Sequence, residues 1–285
     1  MYNDIMFHPK IGLALGGGGP KGLAHIGVLK TLIEHGIPIA CIAGTSAGAL
    51  VGGLYAHSKD ISSVERYIME KGRLQMLSYF ADPTWKGGFI EGNKMEQFIH
   101  EYMGNTNFDK LQVPFAAIAT DLKTGKKVTL TTGSVTRAVR ASIAIPIMFK
   151  PVELNGHLLV DGGLASQVPV QTAFAMGADI VIAVQLDYRY NPTYDLTKLN
   201  PLQVGELALD IVGKKVAEDE IRKASLMLRP HLESIHWGSL MNQAEKEHAV
   251  KEGVDETIRH LPQIVYLAKK TSLVYGLKHL LHHLL

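Results

Sequence analysis

Cysteine, net charge and long apolar runs are all scarce in this sequence. A single cysteine among 285 residues, Cys41, excludes an internal disulfide framework. Because it lies within an apolar run, we expect a buried and unreactive thiol. The 29 basic and 27 acidic side chains are interspersed, and the formal net charge is +2. No broad basic field is therefore present to attract nucleic acid, and we expect no nucleic-acid partner.

No apolar run approaches the roughly 18 residues that a membrane-spanning helix needs. The first eight residues also lack the basic start and apolar centre of a signal peptide. These absences predict a cytoplasmic protein that is at most peripheral, at the inner membrane surface. Nothing in the sequence resembles a calcium loop or a set of zinc ligands, so we expect no metal and no cofactor.

The N-terminal two thirds of the chain alternate short apolar runs with helical periodicity. Strands are predicted at 11–15, 39–43, 113–120, 126–131, 157–160 and 179–186, and helices at 23–35, 134–140 and 168–176. This order predicts an α/β fold with three layers, α/β/α, around a mainly parallel central sheet. After about residue 191 only helices are predicted, at 200–225 and 242–269. We therefore predict a core over 8–190 and a helical C-terminal extension over 191–285 packed on it.

A Gly-x-Ser-x-Gly pentapeptide, Gly44 to Gly48, joins the second predicted strand to a helix. This is the sequence form of a nucleophile elbow, in which glycines permit a tight turn around the serine. The turn would place Ser46 at a helix N-terminus, where unpaired N–H groups favour negative charge. On its own, the pentapeptide also fits a plain strand–loop–helix joint.

The glycine-rich loop after the first predicted strand has the wrong context for a nucleotide. Gly22 is followed by Leu23 rather than by the Lys and Ser or Thr of a Walker loop. Residues 17–22 match G-x-G-x-x-G, but the serine elbow stands where a dinucleotide fold needs an acidic residue. Glycine N–H groups beside a serine elbow suit the oxyanion of an acyl-transfer intermediate instead.

The base for such a serine is more easily found among the aspartates than among the histidines. None of the thirteen histidines lies in a strand-end turn framed by Gly or Pro. Asp161 closes an apolar strand and is followed by Gly162 and Gly163, at the place where parallel sheets gather functional groups. An ordinary Asp-Gly turn is the alternative interpretation.

Together these motifs resemble the patatin-like phospholipase family, in its bacterial cytoplasmic form. The matching motifs are Gly-Gly-Gly-x-Lys-Gly at 17–22, Gly-Thr-Ser-Ala-Gly at 44–48, Ala-Thr-Asp-Leu at 119–122, Arg-Ala-Ser at 140–142, and Asp-Gly-Gly at 161–163 followed by Pro-Val at 169–170. The resemblance covers about residues 11–186. One departure is Gln167, where the family usually has Asn.

The resemblance implies a patatin-like fold and a Ser-Asp dyad without a catalytic histidine. Ser46 would be the nucleophile and Asp161 the base, and Gly17, Gly18 and Gly19 would form the oxyanion hole. The supporting motif glycines would be Gly22, Gly44, Gly48, Gly162 and Gly163.

The implied activity is hydrolysis of a lipid acyl ester through an acyl-serine intermediate, with phospholipids, lysophospholipids and simpler esters all open as substrates. Two other functions stay open: a non-catalytic, regulatory acyl-lipid binding protein and an acyltransferase. Residues 72–92, rich in Gly and aromatics, are either a lid over the site or an anchored surface loop. An amphipathic helix at 272–285 either docks on the core or makes transient contact with a membrane surface.

Overall fold

The computed structural model describes residues 9–186, 197–236, 239–240 and 242–282. Its strands are β1 (Ile11–Leu15), β2 (Ile39–Thr45), β3 (Phe115–Asp121), β4 (Lys127–Leu130), β5 (Val152–Leu154), β6 (His157–Asp161), β7 (Ile180–Val184) and β8 (Leu226–Leu228). Its α-helices are α1 (Ala24–Glu34), α2 (Ala47–Ser58), α3 (Ile61–Met69), α4 (Arg73–Ser78), α5 (Asn93–Met103), α6 (Val135–Ser142), α7 (Val170–Ala175), α8 (Pro201–Ile221) and α9 (Gln243–His282). Within the described ranges, no helix has both the length and the apolar character needed to cross a membrane.

The strands form one mixed sheet with helices on both faces. The order is β5-β6-β3-β2-β1-β7-β8, and β4 pairs with β3 at the side. Side chains of β1 alternate between two cores: Leu13 and Leu15 face a large core, and Ala14 faces a smaller one shared with Val170 of α7. Because both faces are covered, β1, β3 and β7 are buried throughout, as near-continuous apolar strands should be. The predicted three-layer α/β arrangement is confirmed.

The direction of β6 differs from the expectation. The sequence placed Asp161 at the end of a parallel strand, but β6 runs antiparallel to β3 and pairs Asp161 with Ala119. A two-residue hairpin reverses the chain between β5 and β6, and its residues Asn155 and Gly156 both have positive φ. Asn-Gly is a strong sequence signal for this turn.

The register of β3 brings Asp161 to the serine despite this reversal. Ile118 of β3 pairs with Thr45 at the end of β2, so β3 continues past β2. Ala119, the next residue, pairs with Asp161 on the other side. Asp161 therefore arrives at the level of Ser46 from the opposite direction.

The C-terminal third contributes a strand as well as helices. β8 extends the sheet by pairing in parallel with β7, an element that the sequence did not predict. The predicted helices at 200–225 and 242–269 correspond to α8 and α9, and α9 continues through Pro262. The side chains expected on the apolar face of 272–285 lie, from residue 274 onward, outside the described residues. The division into a core and an extension stays a prediction.

Candidate active site

Ser46 lies in a strained turn between β2 and α2. Its φ of 52° and ψ of −119° are outside the regions that non-glycine residues prefer, and such strain typically costs about 1–3 kcal/mol. The flanking glycines are required by close backbone packing. A Cβ at Gly44 would overlap the start of α2, and one at Gly48 would overlap the carbonyl of Leu15. Residues 44–48 therefore form a tight strand-to-helix turn, and the role of Ser46 as nucleophile stays a prediction.

Ser142, at the end of α6, holds this turn in place. The backbone amide of Ser46 donates to Ser142 Oγ at 2.9 Å, and the Ser142 hydroxyl donates to the carbonyl oxygen of Ile118 in β3. All three residues are buried. The Ser46 amide is therefore not available to an oxyanion. The sequence contained Ser142 in a family motif but assigned it no role.

Asp161 is buried beside Ser46, and its carboxyl is only partly hydrogen-bonded. Oδ1 accepts a hydrogen bond from the Gly163 amide at 2.8 Å. In the described part of the chain, no donor is well aligned for a hydrogen bond to Oδ2. Burial raises the Asp161 pKa from 3.8 to about 6, although the neighbouring Ser46 hydroxyl and the Gly163 amide both act to lower it. Ser46 is thus close enough to lower the pKa of the carboxyl, although the two side chains do not form a well-aligned hydrogen bond.

The glycine loop offers two amides rather than three. The Gly17 amide donates to the carbonyl oxygen of Gln167 at 3.1 Å, so it is already engaged. The amides of Gly18 and Gly19 donate to none of the described residues, and both glycines have positive φ. A Cβ at Gly17 would lie 3.2 Å from Cβ of Ser46. The loop therefore passes directly against the serine, with Gly18 and Gly19 as its free donors.

His25 supports the glycine loop from beneath. It is fully buried in α1, and its Nε2 lies 2.8 Å from the carbonyl oxygen of Gly16. Burial lowers the His25 pKa to about 4, and the hydrogen bond to Gly16 opposes this only in part. The imidazole is therefore neutral near pH 7 and donates from Nε2.

The turn after Asp161 is tied to α8. The Ser166 hydroxyl donates to the Glu220 carboxylate at 2.7 Å, and the Thr45 hydroxyl donates to the Ser166 carbonyl at 2.8 Å. The side chain of Gln167, the residue that departs from the family pattern, occupies the gap between the two loops. A Cβ at Gly163 would overlap its Oε1, and a Cβ at Gly17 would lie 3.0 Å from the same atom.

An apolar cavity of about 100 Å³ lies against Ser46. Apart from Ser46 its walls are almost entirely apolar. Leu23, Leu50 and Ile145 line one part of it. Another part is lined by three residues of the segment 72–92, the predicted lid or surface loop: Met76, Tyr79 and Phe80. A cavity of this composition fits a hydrocarbon chain better than a polar group.

Arg140 holds the end of the segment 72–92 against the rest of the fold through hydrogen bonds. Its buried guanidinium donates to the carbonyl oxygens of Glu91, Gly92 and Lys150 at 2.9–3.2 Å. The segment also contains α4, where the sequence predicted only irregular structure. Whether it opens as a lid stays a prediction.

Several known proteins are similar to this chain in sequence. A family model described as "Patatin-like phospholipase" matches residues 13–174. An uncharacterized NTE family protein of Mycobacterium tuberculosis is 37% identical over 182 residues, covering 63% of this chain and 49% of that protein. A lysophospholipase of Mycosarcoma maydis is 36% identical over 179 residues, covering 62% and 10%. The neuropathy target esterase of Drosophila melanogaster is 34% identical over 184 residues, covering 62% and 13%.

The chain thus spans about half the length of the mycobacterial relative and a smaller share of the other two. Among solved structures, VipD from Legionella pneumophila aligns over 90% of this chain and 67% of its own, with a TM-score of 0.52 and 13% identity. That similarity concerns the fold alone. The family model spans more than half of the chain and includes the glycine loop, the elbow and Asp161. The chain therefore belongs to the patatin-like phospholipase family.

Proposed function

We propose that this protein is a serine hydrolase of lipid acyl esters that uses Ser46 and Asp161 as a catalytic dyad. The observation that carries the proposal is the position of Ser46. It stands in a strained elbow beside a buried carboxyl of raised pKa, at the wall of an apolar cavity. The names of the relatives, a lysophospholipase and an esterase, support the same class of reaction.

In the first half of the reaction, Asp161 accepts the hydroxyl proton as Ser46 Oγ attacks the ester carbonyl. A pKa of about 6 suits this role, because the carboxyl is mostly ionised at pH 7 yet more basic than an exposed aspartate. The amides of Gly18 and Gly19 donate to the oxyanion. Collapse of the tetrahedral intermediate breaks the ester bond, Asp161 returns its proton to the leaving alcohol, and the acyl group stays on Ser46.

In the second half, Asp161 takes a proton from water, which attacks the acyl-serine. The same amides hold the second oxyanion, and its collapse releases the fatty acid and restores the Ser46 hydroxyl. The apolar cavity accommodates the acyl chain in both halves. The polar head group has no counterpart in the cavity walls, so we propose that it remains towards solvent. A cytoplasmic location stays a prediction.

The test is hydrolysis of a short-chain chromogenic ester, a lysophospholipid and a phospholipid by the wild type, Ser46→Ala and Asp161→Asn. We expect turnover by the wild type and a loss of at least about 100-fold in either variant. Thr31→Val, which removes a buried hydroxyl hydrogen bond to Gly27 in α1, is the matched control and should retain activity.

Two outcomes would replace the proposal. If the wild type binds lysophospholipid tightly but turns over none of the esters, the chain is an acyl-lipid binding protein. If an added alcohol receives the acyl group in preference to water, it is an acyltransferase.

A further inference from the structure

Large apolar side chains are exposed on and beside the segment 72–92, which also supplies residues to the cavity wall. We define the outer face as Leu74 and Leu77 of α4, Trp85, Phe89 and the adjoining Ile147. Leu74 and Trp85 are 83% and 85% exposed, and the other three are also exposed. Surface hydrophobic residues scattered singly are ordinary, but several on one short segment mark an interaction site.

The outer face belongs to an ordered element and not to a frayed loop. The rings of Trp85 and Phe89 meet edge to face at 5.6 Å, and the Phe89 amide donates to the carbonyl of Ile147 at 3.1 Å. Pro83 and Ile90 form a bridge at the base of the turn. The exposure of Trp85 is therefore a property of the folded protein.

The same segment has a second, buried side. Met76 and Tyr79 are each 6% exposed and line the cavity beside Ser46 together with Phe80. One short stretch of chain thus separates the cavity from the exposed apolar side chains. A partner bound at the outer face therefore lies close to the cavity.

The charges around the outer face are mainly basic. Between residues 71 and 94 the sequence has four cations, Lys71, Arg73, Lys86 and Lys94, and two acidic residues, Asp82 and Glu91. Glu91 is paired with Lys150 and Lys71 with Glu101, which leaves Arg73 and Lys86 as the cations next to Leu74 and Trp85 in the sequence. A surface with Trp, Phe and Leu among Lys and Arg is typical of proteins that bind the interface of an anionic bilayer.

We propose that the outer face docks on the surface of a bilayer containing anionic phospholipids. Trp85, Phe89 and Leu74 enter the boundary between head groups and acyl chains, while Arg73 and Lys86 contact the phosphates. A second copy of the chain is a poorer occupant, because a two-fold contact would bring these cations against one another. The proposal of docking depends only on the residues of the outer face and the charges beside them. We propose that docking lets a lipid pass from the bilayer into the cavity, and this second step rests on the proposed function.

The experiment is flotation of the full chain with vesicles of phosphatidylcholine, with and without phosphatidylglycerol. All proteins carry Ser46→Ala, so that binding is measured without hydrolysis and does not depend on the proposed activity. We expect binding to the vesicles that contain phosphatidylglycerol. Trp85→Gln and Leu74→Gln should each weaken it by about tenfold. Arg73→Gln and Lys86→Gln should each weaken it by about fivefold, and only on the anionic vesicles.

Two control variants locate the contact. Ile258→Gln changes an exposed apolar residue of α9 and should leave binding unchanged. Leu273→Gln, near the end of α9, tests the amphipathic helix as the rival contact. Loss of binding with Leu273→Gln, but not with Trp85→Gln or Leu74→Gln, would overturn the proposal.

Absence of binding to both vesicles would also overturn it. So would light scattering that shows a dimer for the wild type and a monomer for Trp85→Gln, because the outer face would then be a protein interface. Unchanged circular dichroism and thermal midpoints show that the variants are folded, as expected for exposed positions.

Discussion

Asp161 combines a functional requirement with a cost in stability. Its carboxyl is buried, and only Oδ1 has a strong hydrogen bond. The folded-state pKa of about 6 lies above the ordinary value of 3.8, so the folded protein binds this proton more tightly than the unfolded chain does. The contribution of Asp161 to stability is therefore fully present below about pH 4 and is lost as the pH rises through 6. The ionised base destabilises the fold at the pH where it works.

Asp161→Asn should accordingly stabilise the protein while lowering activity by at least about 100-fold. The shift from 3.8 to about 6 corresponds to about 3 kcal/mol above pH 7, and to almost nothing near pH 4. Denaturant unfolding of the wild type and Asp161→Asn at pH 5 and pH 8 measures the difference. A gap that does not widen with pH would show that Asp161 is not the group with the raised pKa.

Ser142 gives the elbow its second anchor, because it accepts from the Ser46 amide and donates to Ile118. Ser142→Ala leaves that buried amide without its partner and frees the strained turn to relax.

We expect Ser142→Ala to lower kcat by about 10- to 100-fold through misplacement of Ser46 Oγ. KM for a short ester should change little, because Ser142 does not line the cavity. Steady-state kinetics of Ser142→Ala, with Thr31→Val as the control, measures kcat and KM separately. A rise in KM with an unchanged kcat would mean that Ser142 shapes the substrate site instead.

The cavity is a product of several elements: α2 contributes Leu50, the loop after α6 contributes Ile145, and α4 contributes Met76. Its apolar walls are expected to select the acyl chain by length. Changing one wall residue should therefore alter chain-length preference and leave the dyad intact.

Leu50→Phe should lower kcat/KM for long acyl esters by about tenfold and leave the acetate ester almost unaffected. The matched control, Leu50→Met, conserves volume and should keep the wild-type profile. Kinetics on nitrophenyl esters of increasing chain length measures this. An equal loss on all chain lengths would place the acyl chain elsewhere.

Elements with strong local signals were predictable from the sequence. Burial on both faces makes β1 and β7 continuous apolar runs, and β1 begins and ends at the predicted residues. Short elements were not: β5 and β8 have three residues each, too few to show a periodicity, and β8 is stabilised by pairing with β7, which is distant in sequence. The reversal of β6 was missed although Asn155-Gly156 signals a hairpin.

In the candidate site, too, some features could be predicted from local sequence and others could not. Ser46 and Asp161 lie in motifs whose turns are encoded locally, and the structure brings them together. The supporting contacts depend on the tertiary fold, because they join residues that are far apart in the sequence. Ser142 and Ser46 are hydrogen-bonded although 96 positions separate them, and Glu220 and Ser166 although 54 positions do. The occupation of the Gly17 amide by Gln167 also depends on the fold. No local pattern reports such pairings.

At the scale of the whole molecule, described residues of the C-terminal third extend the sheet and pack into the large core. β8 covers the edge of β7, and α9 lies along α1 with glycines at the closest approach. A Cβ at Gly253 would overlap the carbonyl oxygen of Ala24, and one at Gly27 would overlap that of Val250. Because α1 also contains His25, this contact supports the helix beneath the glycine loop.

Gly253→Ala should therefore lower the free energy of unfolding by about 1–3 kcal/mol, because the two helices must separate. Gly72→Ala is the control: apart from its chain neighbours, no atom of the described residues lies within 4 Å of the added Cβ, and its φ of −69° suits alanine. Its effect should stay within about 0.5 kcal/mol. Equal midpoints in denaturant unfolding for the two variants would contradict the close packing of α1 and α9.

The measurement that tests the central claim most directly is the rate at which a fluorophosphonate labels Ser46 as a function of pH, with the adduct mapped by mass spectrometry. The account predicts labelling at Ser46, a rate that rises with a midpoint near pH 6, and labelling of Asp161→Asn at least about 100-fold more slowly. An adduct on another residue, or wild-type labelling rates in Asp161→Asn, would contradict the Ser46–Asp161 dyad.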